Sequence, residues 1–277
     1  MRKPLAALRL AAAALTLGYG EASAAHRISL VRAGTQVTYI LQEDKVRIEE
    51  KGSPRVLIFD GKSMEFFEVD TEKKTWAVAT LRDAQTQGKA LGEQLEAADA
   101  AVPPEQRQRA IAERRERFAR WTKLLADTRF EPTTDHGKVA GQSCDGYSEL
   151  VDGKVVAEGC YIPWSRKTIR KEDLLALARL AEFLNTALAE VESTAGIDLR
   201  DGPLGRLSRA PGFPALRYDI ARDGKSGVQL KLVEFLTKAT VTPETFRPPA
   251  GYTRLDRPAE VVEPVIKRSL EEAPVQP

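Results

Sequence analysis

Between residues 28 and 79 the sequence holds six short strand-forming runs separated by five turn signals. The runs are Ile28 to Val31, Val37 to Leu41, Val46 to Ile48, Val56 to Phe59, Met64 to Val69 and Trp76 to Ala79. Ala33-Gly34, Glu43-Asp44, Gly52-Ser53-Pro54, Asp60-Gly61 and Thr71-Glu72-Lys73 separate them. Strands at this spacing with no helix between them have to pair as an antiparallel meander. Val37, Tyr39 and Leu41 alternate with polar neighbours, as do Trp76 and Val78. The expectation is one apolar face and one polar face.

The rest of the chain adds helices to this sheet. Residues 82–127 read as a helical insert. Leu91, Leu95, Ala98 and Val102 recur at helical spacing, and Pro103-Pro104 opens a second helix bearing Ile111, Phe118, Trp121 and Leu125. A third helix is expected over Lys171 to Glu192. Leu174, Leu177, Ala181, Leu184, Leu188 and Val191 form one side of it, and Leu175, Leu180 and Phe183 a second, so it should be deeply buried. The fold class is therefore α+β: one strongly curved antiparallel sheet of about ten strands, a number set by counting turn signals. Helices would cover its concave face. Residues 25–257 make one domain, and the Pro-, Glu- and Val-rich stretch 258–277 is expected to be disordered.

Residues 1–24 have the order of a secretory signal peptide. Arg2 and Lys3 precede an apolar run from Leu5 to Leu17, and Ala22-Ser23-Ala24 offers small residues for cleavage. A buried N-terminal helix is the alternative. The run is too short to span a membrane. Export to the periplasm as a soluble protein is the expectation, with cleavage near Ala24. The whole chain carries 42 Lys and Arg against 40 Asp and Glu. Removing residues 1–24 takes away Arg2, Lys3, Arg9 and Glu21, which leaves the remainder neutral. A neutral chain with no recognisable module argues against nucleic acid as a partner.

Export sets how the two cysteines read. Cys144 and Cys160 flank the turn signal Val151-Asp152-Gly153-Lys154, in an oxidising compartment, so a structural disulfide is expected. A three-residue loop would put the two directly opposite each other. A two-residue Asp-Gly loop would leave the sulfurs diagonal, so the disulfide favours the odd loop. A redox-active pair would need the Cys-x-x-Cys spacing that this chain lacks. The hairpin around Asp223-Gly224-Lys225 is expected to pair Leu216 with Leu232, Tyr218 with Leu230 and Ile220 with Val228, all on one buried face.

Three segments in order carry a resemblance. They are Pro103-Pro104-Glu105-Gln106-Arg107, the strand Ala140-Gly141-Gln142-Ser143-Cys144-Asp145-Gly146-Tyr147, and Gly212-Phe213-Pro214 followed by Phe246-Arg247-Pro248-Pro249-Ala250-Gly251-Tyr252. Together they resemble an uncharacterised family of secreted bacterial proteins related to the outer-membrane lipoprotein-carrier and sorting (LolA-like) group. The resemblance implies a half-barrel whose helices close over an apolar cavity that holds acyl chains in the carriers. It supplies no catalytic residue.

The function expected on this basis is non-enzymatic: binding of an apolar or amphiphilic ligand, a lipid or a lipoprotein acyl chain. Phe66, Trp76, Val78, Trp121, Phe183, Tyr218 and Leu230 would line the cavity. The alternative is a protein-interaction or structural module of the cell envelope with a filled half-barrel, since large aromatics on sheet faces are commonly core. The basic helix 105–123 could meet an envelope protein or an anionic surface, or it could be a solvated face with Glu-Arg pairs, the reading favoured here. His26 and His136 stand apart, with Asp135-His136 read as a loop pair. No metal site, cofactor motif, nucleophile elbow or phosphate loop is recognisable. A hydrolase would need polar groups converging in a cleft.

Overall fold

The meander folds as six antiparallel strands: β1 (Ser23–Arg32), β2 (Thr35–Gln42), β3 (Lys45–Glu50), β4 (Arg55–Asp60), β5 (Glu65–Asp70) and β6 (Thr75–Thr80). Then come α1 (Leu81–Ala100), α2 (Pro104–Asp127), β7 (Arg129–Val139), β8 (Gln142–Val151), β9 (Lys154–Pro163), α3 (Leu175–Ala195), β10 (Gly212–Ile220), β11 (Ser226–Val241) and the short β12 (Thr253–Arg254). The structure, a computed structural model, describes residues 23–32, 34–195, 209–220 and 226–262. All twelve strands join one open sheet in the order β12-β6-β5-β4-β3-β2-β1-β11-β10-β9-β8-β7. Every pairing is antiparallel except that of β12 with β6. The fold is thus α+β on a large antiparallel sheet, with twelve strands among the described residues rather than about ten.

The expectation of one apolar and one polar face is corrected. The sheet is buried on both sides. On the first face, Phe59 of β4 sits opposite Phe66 of β5, which sits opposite Ala79 of β6, and all three belong to the main core. On the second face, Val56 and Ile58 pair with Val69 and Phe67, and these pair with Trp76 and Val78. Val56, Ile58 and Val69 form a separate buried cluster with Ala25, Val241 and Phe246. The run Val56-Leu57-Ile58-Phe59 explains this, because an unbroken apolar run fits a strand covered on both faces.

Helices α1 and α3 pack on the first face. The strand-to-helix junction is set locally: Asp83 accepts hydrogen bonds from the Thr80 backbone (2.9 Å) and hydroxyl (2.7 Å), and the Asp83 backbone donates back to the hydroxyl at 3.3 Å. Those bonds hold the Asp83 carboxyl below its ordinary range. α3 buries Leu177, Leu180, Phe183, Leu188 and Val191, as its doubled apolar side predicts, although Leu175 is exposed. The two helices touch where α1 has Gly88. A Cβ there would lie 2.1 Å from the carbonyl oxygen of Ala187, and the backbones approach this closely only over glycine. Gly88→Ala should therefore destabilise the fold by about 1–3 kcal/mol through overpacking, despite the better helix propensity of Ala. Urea unfolding should read this as a lowered midpoint at unchanged slope.

α2 follows the expected break at Pro103-Pro104, but its main contacts are with α3 and α1 rather than with the sheet. Arg107 turns back to the end of α1 and the connection that follows it, reaching Ala100 O at 2.6 Å and Val102 O at 3.1 Å.

Two hairpin registers differ from expectation. In the first, Val151 pairs with Lys154 across a two-residue Asp152-Gly153 turn. Both turn residues have positive φ, 49° and 75°, as a type I′ turn requires. A bulge between Glu149 and Leu150 then places Gly146 opposite Cys160, so Cys144 is diagonal to it. The disulfide forms across that diagonal with a Cα–Cα distance of 5.3 Å. β7 makes room for it with Gly137, where a Cβ would lie 3.2 Å from Cys160 Sγ. Replacing both cysteines by Ala should cost about 3 kcal/mol, measurable as the stability lost on going from oxidised wild type to the double variant. In the second hairpin the pairing is already shifted at the loop end, where Ile220 faces Ser226, and beyond a bulge between Arg217 and Tyr218 Leu216 faces Lys231. Leu230 and Leu232 are buried, but Val228 is 49% exposed. The loop around Asp223-Gly224-Lys225 lies outside the described residues.

The C-terminal segment covers the β6 edge. Phe246 and Tyr252 pack on the second-face cluster. The chain then runs along β6, with backbone bonds from Thr253 to Lys74 (3.0 Å), Leu255 to Trp76 (2.8 Å) and Ala259 to Val78 (3.2 Å). Beyond that edge Ala259, Val261 and Val262 enter the first-face core. Gln87 of α1 grips them: its Nε2 donates to Ala259 O at 2.7 Å and its Oε1 accepts from Val261 N at 3.0 Å. The expected disordered tail from 258 is therefore corrected for residues 258–262. Residues 263–277 lie outside the described residues. At the other end of the molecule, the expected boundary after Ala24 falls inside β1, which begins at Ser23. Residues 1–22 lie outside the described residues.

Candidate functional site

The far end of the sheet is rolled. β7 and β11 are four places apart in the strand order, about 19 Å if the sheet were flat. Their Cα atoms nevertheless approach within 8 Å. The face of β8 and β9 that carries Glu149 and Tyr161 is opposite to the one that carries Cys144 and Ile162 into the main core, as the alternation along the two strands dictates. It holds a charged cluster.

Glu149 of β8 is at the centre, 1% exposed. Arg217 of β10 reaches it with two parallel hydrogen bonds, Nε to Oε1 at 2.7 Å and Nη2 to Oε2 at 3.1 Å. The remaining arm of Arg217, Nη1, donates to Asp219. The Tyr161 hydroxyl donates to Glu149 Oε1. This is the fork geometry that suits a guanidinium to a buried carboxylate. Burial works against the charge on Arg217, but the Glu149 hydrogen bonds and charge, then Asp219 and Tyr161, outweigh it and hold the group protonated above its ordinary range.

Aromatic packing fixes the phenol. A Cβ on Gly159 would lie 2.8 Å from Tyr161 Cε2, so the glycine lets the ring lie along its own strand. Phe130 and Tyr147 meet the ring edge-on, at centroid distances of 5.6 and 5.8 Å. Beside this cluster, His136 Nδ1 and Arg166 Nη2 both contact Asp145 Oδ1, at 3.1 and 2.7 Å. His136 belongs to β7 opposite Asp145, not to a loop as expected. His26 lies elsewhere, with Nε2 3.6 Å from Asp173 and its ring stacked on Phe235. Among the described residues no three His, Cys, Asp or Glu side chains are grouped as a metal site would need. No helix there is long and apolar enough to cross a membrane.

The described residues expected to line a cavity do not all share one face. Phe66, Phe183 and Leu230 belong to the first-face core. Trp76 and Val78 are on the second face, where Trp76 packs with Phe67 and under the Arg254 guanidinium. Tyr218 is half-buried, outside both clusters. The Trp121 side chain lies outside the described residues. Of the basic helix, Arg107 is committed to the end of α1 and Arg109 pairs with Glu113 at 2.9 Å, as the solvated-face reading expects. The side chains of Arg114, Arg115, Arg117, Arg120 and Lys123 lie outside the described residues. The Glu149 cluster was not singled out in the sequence, where Arg217 and Asp219 read as the polar alternates of a half-buried strand.

No protein-family model matches the chain, and no curated protein is similar to it. Solved structures offer distant likenesses. The chain is similar to PNGF-II at 12% identity and a TM-score of 0.31, over 89% of its own length. It spans only 33% of the PNGF-II chain. It is also similar to an uncharacterised conserved protein from Thermus thermophilus, at 11% identity and a TM-score of 0.36, over 85% of this chain and 91% of that one. Neither likeness carries an argument about function.

Proposed function

We propose that this protein is a non-enzymatic, exported module of the cell envelope, and that it works as a rigid interaction or structural unit with a filled sheet face. The observation that supports this is the setting of Phe183. Its ring is fully buried, 5.3 Å from Phe59 and 6.3 Å from Phe66, where a carrier of acyl chains would need room. The Glu149 cluster agrees with a rigid role, because its Arg217 and Tyr161 donors are spent on the protein's own carboxylates. The disulfide suits an oxidising compartment.

The test is native mass spectrometry and lipid extraction of the protein purified from a periplasmic fraction, with titration of a fluorescent acyl-chain probe. The expected result is no co-purifying lipid and no saturable probe binding. Saturable binding that free fatty acid competes away would overturn the filled reading and restore the ligand-binding one.

A further inference from the structure

We infer that the groove between the β6 edge and α1 is a binding site for an extended peptide with small and β-branched apolar side chains, and that residues 253–262 are its built-in occupant. The inference rests on the interaction-module reading and names the surface through which that module acts.

The backbone of residues 253–262 makes the ladder along this edge. Thr253, Leu255 and Ala259 donate to the carbonyls of Lys74, Trp76 and Val78. Polar side chains of the groove address the same backbone. Arg55 Nη2 donates to Glu260 O at 2.8 Å, and Glu68 Oε2 accepts from Glu260 N at 3.0 Å. Gln87 donates to Ala259 O at 2.7 Å and accepts from Val261 N at 3.0 Å. None of these bonds reads a side chain of the segment, so they suit another extended peptide as well as this one. Selectivity comes from what is buried. Ala259 is 0% exposed and Val261 and Val262 are 1% exposed, while residues 256–258 and 260 face solvent. The groove therefore asks for a small residue, one residue of any kind, then two β-branched apolar residues. Main-chain bonds for affinity and buried alternate side chains for selectivity are how peptides add to a sheet edge. The segment's own side-chain ties use exposed arginines: Arg257 reaches Glu68 at 3.4 Å, and Arg254 lies over Trp76. Arg55 Nε and Glu68 Oε1 are 3.1 Å apart, so the vacated groove keeps its charges paired. Tethering gives the resident segment a millimolar effective concentration, which shuts the groove to weak peptides and leaves it open to tighter ones.

The experiment uses the full chain carrying Val261→Asp and Val262→Asp. Two carboxylates where the core offers no partner expel the resident segment, while β6, Glu68 and Gln87 are unchanged. The probe is a fluorescein-labelled synthetic peptide of residues 252–262, followed by fluorescence anisotropy. The expected result is saturable binding to the variant, about 100-fold tighter than to wild type, where the tethered segment competes. The same peptide carrying Val261→Asp should not bind. A folded variant that leaves the peptide unbound, equal binding to variant and wild type, or equal binding of the two peptides would overturn the site and leave the interaction reading standing. Saturable acyl-probe binding is the separate result that removes that reading. If the double variant does not fold, hydrogen exchange of the wild type decides. The amides of Leu255, Ala259 and Val261 should open locally and exchange about 10-fold or more faster than the paired amides of β4 and β5. Equal protection would mean that the segment leaves only with global unfolding, and the inference would fail.

Discussion

Glu149→Ala should lower the stability of this protein by about 3–5 kcal/mol, the cost of stranding a buried charge whose partner has been deleted. The carboxylate accepts two bonds from Arg217 and one from Tyr161, so its loss leaves a largely buried guanidinium with Asp219 to answer it. Arg217→Met should cost a similar amount for the opposite reason, since Glu149 then loses the charge and the two hydrogen bonds of the guanidinium. The double variant Glu149→Leu with Arg217→Met should recover much of the loss, because a buried ion pair replaced by apolar residues of like volume is often near neutral. A double-mutant cycle in urea reads all three. Additive losses would show that the two groups do not depend on each other. A loss below about 1 kcal/mol for Glu149→Ala would place the pair in solvent, where such pairs are worth little.

That cluster also marks where the sequence stops being legible. The meander, the helical hairpin, α3 and the disulfide all follow from short-range signals: period-2 runs, Pro103-Pro104, a doubled apolar helix side, and the Asp152-Gly153 turn. What could not be read depends on chain that returns from far away. Arg217 and Asp219 alternate with apolar neighbours as solvent-facing residues do. A period-2 pattern cannot distinguish water from a sheet that rolls until β7 approaches β11. Trp76 and Val78 alternate correctly too, but the second face they occupy is covered by Phe246 and Tyr252, some 170 residues later. The run from Val56 to Phe59 held the one local hint of that cover. Register failed in both hairpins, first at the turn end and again at a bulge. A bulge inserts one residue without disturbing composition, so neither the shift at Glu149–Leu150 nor that at Arg217–Tyr218 has a signature in hydropathy. At the C-terminal end, Pro- and Glu-rich composition concealed Ala259, Val261 and Val262, whose burial depends on the amide of Gln87.

The other large effect bears directly on function. Phe183→Ala should cost about 3–5 kcal/mol, the loss of a buried ring together with the cavity it leaves. The cavity would be walled by Phe59 and Phe66, which flank the ring. An apolar void of that kind stays dry and takes small apolar guests such as benzene or xenon. The variant should therefore bind benzene, and benzene should raise its melting temperature, while wild type shows neither response. The two functional readings separate here with opposite signs. If Phe183 fills the space, its removal creates a binding site that wild type lacks. If Phe183 is the wall of a site that already holds acyl chains, wild type binds the apolar probe first, and the truncation weakens that binding rather than creating it. The stability loss is common to both readings. The sign of the change in binding decides between a sheet face packed for rigidity and one kept open for a guest.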